Sequence, residues 1–244
     1  MTMPFYASAE QIMRDRSEYA RKNVARGRGV VALKYPGGVL FVADNASRSL
    51  HKLGELYDRV GFAGAGRYNE FESLRVAGVR YADVWGYSNS RRDVSGQAIA
   101  NMYAANLGAI FTEQQKPFEV EICVAEVGPS ADEDQLYRLT YDGSIVEEPQ
   151  FAAMGGESDA ISERLRSAYQ PETTIEAGLR MAVDALSAGR RDAAALQARD
   201  LEVAVLDRTR ALRCFRRIPT SELTDLLPSA PPEADSGRSP EPEA

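Results

Sequence analysis

Residues able to do chemistry are few in this sequence, and most stand apart from one another. The single histidine is His51, and the only cysteines are Cys123 and Cys214. Zinc sites use clustered cysteine and histidine ligands, and the common hydrolytic triads need a histidine beside the nucleophile. These three residues therefore predict neither a metal site nor a histidine-dependent hydrolase. We interpret both cysteines as small buried side chains and His51 as a surface residue.

A glycine-rich run is the next candidate for a binding function. Residues 60–66 read Val-Gly-Phe-Ala-Gly-Ala-Gly. These glycines lack the GxGxxG spacing that a dinucleotide-binding loop requires. Glycine in a strand instead marks the close approach of another backbone. The run therefore predicts a strand, and the sequence predicts no cofactor.

Composition sets wider limits on function. The chain has 244 residues, of which 44% are hydrophobic, enough for one large domain or two small ones. Its formal net charge of −7 opposes nucleic-acid binding, which needs a positive surface. We find no apolar run as long as a membrane span, and residues 1–6 do not resemble a secretory signal. We therefore expect a cytoplasmic protein that binds neither nucleic acid nor membrane.

The elements that position these residues are predicted from hydrophobic periodicity and capping signals. Ser8 and Gln11 have the spacing of a capping box, as do Thr173 and Glu176. Helices are predicted over 8–26, 67–87, 93–115, 158–169, 174–189 and 220–227. Strands are predicted over 30–35, 39–44, 52–57, 60–66, 120–125, 136–141, 144–146, 151–154, 201–206 and 212–215.

The order of these elements predicts the fold class. Short turns such as Pro36-Gly37-Gly38 and Asp142-Gly143 join successive strands, which indicates antiparallel hairpins rather than an alternating parallel sheet. We expect an α+β protein, a four-layer αββα sandwich of two stacked antiparallel sheets between helical layers, with an extra N-terminal helix. Residues 8–227 would form this domain. Residues 228–244, rich in Pro, Ser, Glu and Ala, predict a disordered acidic tail.

Several local runs, taken in order, resemble the proteasome subunits of the N-terminal-nucleophile hydrolase superfamily. Three runs resemble the signatures of their α type, and two longer runs are similar to the actinobacterial α members. The resemblance extends over residues 5–227 and implies the αββα fold and a place in the 20S core particle. The matching runs are Glu18–Arg21, 38–44 and Met154–Gly156 for the α type, and 44–66 and 136–144 for the actinobacterial members.

The resemblance raises the question of catalysis. In the catalytic β type, processing exposes a threonine at the start of the first strand, and its hydroxyl attacks the peptide carbonyl. Here Arg28 and Gly29 occupy those positions. Asp44 and Lys52 match the residues that support the nucleophile, but they have no nucleophile to support. We expect a non-catalytic subunit; an active N-terminal-nucleophile hydrolase with a processed start and a stand-alone binding domain of the same fold are the alternatives.

An α-type subunit also implies partners. In the family, seven copies form a ring that stacks on rings of β subunits as α7β7β7α7, and the extra N-terminal helix builds the ring contact. A lysine at the position of Lys52 lines a pocket between neighbouring α subunits. That pocket receives the C-terminal carboxylate of an activator, here expected to be a hexameric AAA ATPase. Gly66 would let the activator tail approach the backbone, and Arg21 would stabilise the pocket.

The resemblance assigns a gate to the residues ahead of the first helix. The segment lacks the Tyr-Asp-Arg motif of archaeal and eukaryotic α subunits, but its aromatic residues would still pack at the ring axis. The implied function is gated, Pup-tag-dependent protein degradation. The gate segment consists of Met1, Thr2, Met3, Pro4, Phe5, Tyr6 and Ala7.

Overall fold

Two antiparallel five-stranded sheets form the centre of this computed structural model, which describes residues 8–190 and 196–227. The predicted gate segment and acidic tail lie outside the described residues. One sheet has the strand order β10-β9-β2-β1-β8, and the other has the order β3-β4-β5-β6-β7. The strands are β1 (Val30–Tyr35), β2 (Gly38–Asp44), β3 (Leu53–Tyr57), β4 (Val60–Gly66), β5 (Val120–Glu126), β6 (Gln135–Leu139), β7 (Ile145–Glu147), β8 (Phe151–Met154), β9 (Leu201–Asp207) and β10 (Phe215–Ile218).

The two sheets stack face to face, and β2 is covered on both of its faces. This burial explains why the sequence of β2 is almost continuously apolar. Every residue of β2 is buried. Phe41 packs between the sheets with residues of β4 and β5 such as Ala63 and Cys123. Leu40 and Val42 belong to a second cluster on the opposite face of the same sheet. A strand covered on both faces needs apolar side chains at successive positions rather than at alternate ones.

Helices cover both outer faces. Helices α4 and α5 pack on the sheet that contains β1 and β2, whereas α2 and α3 pack on the sheet that contains β3 to β7. The four-layer αββα sandwich is therefore confirmed. The helices are α1 (Ala9–Val24), α2 (Tyr68–Ser88), α3 (Gly96–Glu113), α4 (Ser158–Ala168), α5 (Ile175–Ala188) and α6 (Thr220–Leu226).

The extra helix α1 is held by specific contacts. The Ser8 hydroxyl accepts from the Gln11 backbone N–H at 3.2 Å, so Ser8 is the predicted N-cap. The Gln11 side chain donates to Asp15 instead of closing the box. Further along α1, Arg16 donates to the carbonyl oxygens of Phe111 and Thr112 at 2.6 and 3.3 Å. A cation at the carbonyl end of α3 complements the helix dipole and fixes α1 beside it.

Two local predictions were wrong. The last strand begins at Phe215 instead of Leu212, because Leu212 is exposed and Arg213 has a φ of 52°, which ends the extended backbone. Helix α5 is capped by Thr174 rather than Thr173, since the Thr174 hydroxyl accepts from the Ala177 N–H at 3.3 Å. Thr173 is buried, so its side chain belongs to the interior rather than to the cap.

Both cysteines are buried, as predicted. Burial raises the pKa of the Cys123 thiol to about 12, so this group stays protonated at neutral pH. Cys123 packs between the sheets, and Cys214 lies in the turn before β10 rather than in a strand. The two thiols therefore act as small apolar groups in the core.

Candidate functional site

The amine of Lys52 lies at the start of the first strand. Its Nζ donates to the carbonyl oxygen of Arg28 at 2.8 Å and to that of Asp44 at 3.2 Å. The Asp44 N–H in turn donates to the Gly29 carbonyl at 3.0 Å. The side chain is thus bound within its own chain, whereas the resemblance implied that it lines a pocket between neighbouring subunits. An ammonium has three N–H donors, so these two bonds leave one for a carboxylate.

The carboxylate of Asp44 is paired with arginine. Arg28 Nη1 lies 3.1 Å from Asp44 Oδ1, and Arg190 Nη1 lies 3.3 Å from Asp44 Oδ2. Asp44 is buried, with 4% of its side chain exposed, so pairing with two cations offsets the cost of its desolvation. Arg28 therefore places its guanidinium against the buried carboxylate of Asp44.

The environment of Lys52 alters its protonation. Burial lowers the pKa of Lys52 from its ordinary value of 10.5 to about 8. This net value includes the negative charge of Asp44, which opposes the shift, the positive charge of Arg28, which adds to it, and the negative charge of Glu202, which opposes it. At neutral pH the amine is mostly an ammonium, but it loses its proton more readily than a surface lysine.

Glu202 in β9 anchors the backbone of Lys52. Its Oε2 accepts from the Lys52 N–H at 2.8 Å and from Asn45 Nδ2 at 2.8 Å, and its Oε1 accepts from the Leu53 N–H at 3.3 Å. Arg217 donates to the same carboxylate. Sequence reasoning missed Glu202, although a buried-strand pattern broken by one acidic residue was a visible signal.

His51 is exposed, as predicted, but its ring has a partner. Its Nδ1 lies 3.2 Å from Glu202 Oε1, and 46% of its side chain is exposed. His51 therefore belongs to the edge of the Glu202 network rather than to an isolated stretch of surface.

Gly66 ends β4 and is required by the backbone itself. Its φ is 98°, and a Cβ atom there would lie 2.1 Å from the Glu119 carbonyl oxygen. Only glycine is free of steric strain in this conformation. Gly66 also lies against Gly27, because a Cβ on Gly27 would be 3.5 Å from the Gly66 nitrogen. Within the chain, Gly66 therefore lies close to Glu119, just before β5, and to the segment that follows α1.

Arg21 lies near the end of α1, with 76% of its side chain exposed. Its guanidinium is 3.9 Å from the Asp159 carboxylate, a loose contact at the surface. The structure thus brings Lys52 and Gly66 to the segment that joins α1 to β1, through Arg28 and Gly27, whereas the Arg21 side chain contacts α4. Arg21 also lines a cavity of about 140 Å³ with Val24, Ala25, Glu121, Gly155, Gly156, Glu157, Ser158 and Asp159.

A cluster of charged side chains beside Gly66 connects α1 to the second sheet. Glu70 accepts from Lys116 Nζ at 2.7 Å and from the Glu119 N–H at 2.6 Å. The Glu119 carboxylate lies 2.8 Å from Lys116 Nζ and accepts from the Tyr19 hydroxyl at 3.0 Å. Sequence reasoning missed this cluster because its members are far apart in the chain. It fixes the exposed helix α1 by a polar contact rather than by apolar burial.

Within residues 8–190 and 196–227, no group of three or more His, Cys, Asp or Glu side chains is arranged to hold a metal ion. No helix in the same ranges is long and apolar enough to cross a membrane.

Comparison with known proteins identifies the family. A model described as "Proteasome subunit" matches residues 24–206. The chain is 63% identical to the proteasome subunit alpha of Saccharopolyspora erythraea over 94% of this chain and 90% of that protein. It is 56% identical to that of Actinosynnema mirum, over 98% and 95% of the two chains, and 57% identical to that of Rhodococcus opacus, over 99% and 95%. The chain therefore belongs to the proteasome subunit family, as an alpha subunit of the actinobacterial type.

Proposed function

We propose that this chain is a non-catalytic subunit of the outer, seven-membered ring of a proteasome core, with the order α7β7β7α7. In the cytoplasm it would gate substrate entry and bind a hexameric AAA ATPase, supporting regulated, Pup-tag-dependent degradation. The observation that carries this proposal is the bonding of Lys52 to the main chain at Arg28 and Asp44. Residues that would assist a threonine nucleophile are instead bonded to backbone and to arginine.

The same geometry supports a docking role for Lys52. A terminal carboxylate binds well to a partly desolvated cation, and this charge-assisted hydrogen bond is stronger than one between neutral groups. The two bonds of Lys52 to carbonyl oxygens hold its amine in one position before any partner arrives. A partner then loses less entropy on binding, because the cation is already ordered.

Assembly with other subunits is supported by exposed apolar side chains at the end of α2. Val84, Trp85 and Tyr87 are 67%, 43% and 93% exposed, and Trp85 stacks on Tyr81. Clustered apolar surface of this kind marks a contact with another protein. We propose that this surface contacts another subunit of the particle.

Replacing Lys52 tests the docking role. Lys52→Met keeps a side chain of similar length without its charge, and should remove a contact of about 1.5–3 kcal/mol at each pocket. Because several ATPase tails bind one ring, activator-stimulated degradation should fall by a larger factor than the binding of one tail. Lys52→Arg should restore only part of the effect, because a planar guanidinium does not match a compact ammonium.

Lys22→Met is the matched control, since Lys22 is an exposed lysine on α1. Activator affinity and stimulated degradation should both be unchanged by that substitution. Equal activator affinity for the wild type and Lys52→Met at physiological salt would exclude the pocket role.

A further inference from the structure

Glu202 is the buried carboxylate on which the loop before β3 converges. The loop leaves β2 at Asp44 and returns at Leu53, and Glu202 lies beside it because β9 pairs with β2. The Asn45 side chain bridges the Leu50 carbonyl oxygen and Glu202, at 2.8 Å each. Two further donors, the backbone N–H groups of Lys52 and Leu53, reach the same carboxylate at 2.8 and 3.3 Å.

Arg217 completes the arrangement from β10. One of its guanidinium nitrogens donates to Glu202, and the other donates to the Leu53 carbonyl oxygen at 2.6 Å. The backbone of Leu53 is therefore held on both its N–H and C=O sides by a single ion pair. A buried carboxylate with an arginine partner and several N–H donors has its charge compensated, so it can serve as a fixed anchor.

This anchor acts at the backbone of Lys52, whereas the Lys52 amine is oriented by Arg28 and Asp44. The residue is thus fixed at both ends of its side chain. We propose that Glu202, with Arg217, is a positioning residue that sets where the Lys52 ammonium meets an incoming carboxylate. This inference rests on the docking role of Lys52 proposed above.

The charges around Lys52 predict that Glu202 affects the pKa of the Lys52 amine as well as its position. The groups that act on the Lys52 amine are Asp44 from β2, Arg28 from the segment before β1, and Glu202 from β9. His51, the preceding residue, also contacts Glu202. The negative charge of Glu202 raises the pKa of Lys52, in opposition to the larger effect of burial. Removing that charge should therefore lower the pKa of Lys52 further.

Glu202→Gln is the primary test. Glutamine replaces one acceptor oxygen with an NH2 donor, which would face either the donors of Asn45 and Lys52 or those of Leu53 and Arg217. The probe is a synthetic peptide with the C-terminal sequence of the hexameric ATPase and a free carboxylate, titrated against the assembled particle. Affinity should fall about tenfold, which corresponds to about 1.4 kcal/mol. The same peptide with an amidated C-terminus should bind the wild-type and Glu202→Gln particles equally weakly.

A matched control and a second variant keep the test decisive. Glu55→Gln makes the same chemical change three positions after Lys52, at a carboxylate paired with the exposed Arg213, and should leave peptide affinity unchanged. Should Glu202→Gln leave Arg217 unpaired and prevent folding, Glu202→Gln with Arg217→Gln removes both charges together. The double variant should show the same loss of peptide affinity.

The pKa of Lys52 is a second readout, because a purely structural role of Glu202 would leave it unchanged. Labelling by an amine-reactive reagent, followed by mass spectrometry across pH, reports the titration of each lysine, and the chain has lysine only at 22, 34, 52 and 116. Glu202→Gln should shift the Lys52 curve to lower pH and leave the Lys22 curve unchanged. The inference would be overturned if Lys52→Met lost peptide binding but Glu202→Gln kept wild-type peptide affinity or showed an unshifted Lys52 curve. If Lys52→Met loses nothing, the docking role itself fails, and the inference fails with it.

Discussion

Lys52 combines two properties that rarely coincide on a protein surface: a fixed amine and a lowered pKa. Its Nζ is held by two carbonyl oxygens, and burial lowers its pKa to about 8. An ammonium in water keeps its proton to much higher pH, so a surface lysine binds carboxylates equally well at pH 7 and pH 9. The affinity of the half-buried Lys52 for a carboxylate should therefore depend on pH near its lowered pKa.

Tail-peptide binding should weaken with rising pH. Because the lowered pKa means that the ammonium form is lost as pH rises through about 8, affinity should fall about tenfold between pH 7 and pH 9. Carboxylates and guanidinium groups do not ordinarily change charge in that window. In Lys52→Arg the dependence should vanish, since arginine stays charged throughout. Fluorescence anisotropy of a labelled peptide measures this, and a flat wild-type profile would contradict the assignment.

Gly66 is a second residue whose role the structure makes specific. With a φ of 98° and the Glu119 carbonyl oxygen 2.1 Å from any Cβ, Gly66→Ala should destabilise the chain by about 1–3 kcal/mol. Thermal unfolding should show a lower Tm. Gly108→Ala is the control, because a Cβ there meets nothing nearer than the Asp142 carbonyl oxygen at 3.8 Å, in a helix. That variant should be as stable as the wild type or more so. An unchanged Tm for Gly66→Ala would mean that the backbone there relaxes freely.

At the scale of elements, α1 is an exposed helix fixed by polar contacts. Only Ala20 and Val24 of its residues are buried, so apolar packing alone holds little of it. The bonds of Arg16 to the end of α3 and of Tyr19 to Glu119 supply fixed points along its length. The N-cap at Ser8 accepts from the Gln11 N–H within the first turn. We therefore expect α1 to stay in place when residues 1–7 are removed.

Removing Met1–Ala7 should open the pore without disturbing assembly. Basal hydrolysis of a fluorogenic peptide by the assembled particle should rise several-fold, because the proposed gate is gone while α1 remains capped by Ser8. A variant with Phe5→Ala and Tyr6→Ala keeps the length and tests whether the aromatic residues close the gate. Native gel mobility serves as the assembly control. Equal hydrolysis by the intact and shortened particles would show that the segment does not close the pore.

Elements were predictable from sequence wherever one local signal determined them. The periodicity of 158–169 and the alternation at 120–125 correspond to α4 and β5 within a residue or two at most boundaries. The last strand was misplaced because Leu212 is apolar yet exposed, so its hydrophobicity misled the interpretation. Glu202 was missed for a different reason. Its partners Asn45 and Lys52 are about 150 positions away, and only the pairing of β9 with β2 brings them together.

For the whole molecule, the stacked sheets bring into contact Asp44 and Lys52, two residues that the sequence resemblance singled out. The fold brings Asp44 and Lys52 to the start of β1, where a catalytic relative would need its nucleophile. The sequence shows Arg28 and Gly29 at that point, and the structure shows Arg28 paired with Asp44. Which residues a neighbouring copy would add to the proposed pocket was not predictable, because the proposed ring contact depends on a second copy of the chain.

The central claim is that copies of this chain form a ring with a docking surface for an activator, and that the chain supplies no catalytic nucleophile. The most direct measurement is peptide hydrolysis by the purified full chain, alone and after co-expression with its β-type partner, with and without a threonine-protease inhibitor. We predict no hydrolysis by the chain alone, and inhibitor-sensitive hydrolysis once the partner is present in a large particle. Inhibitor-sensitive hydrolysis by the chain free of any β subunit would contradict the account.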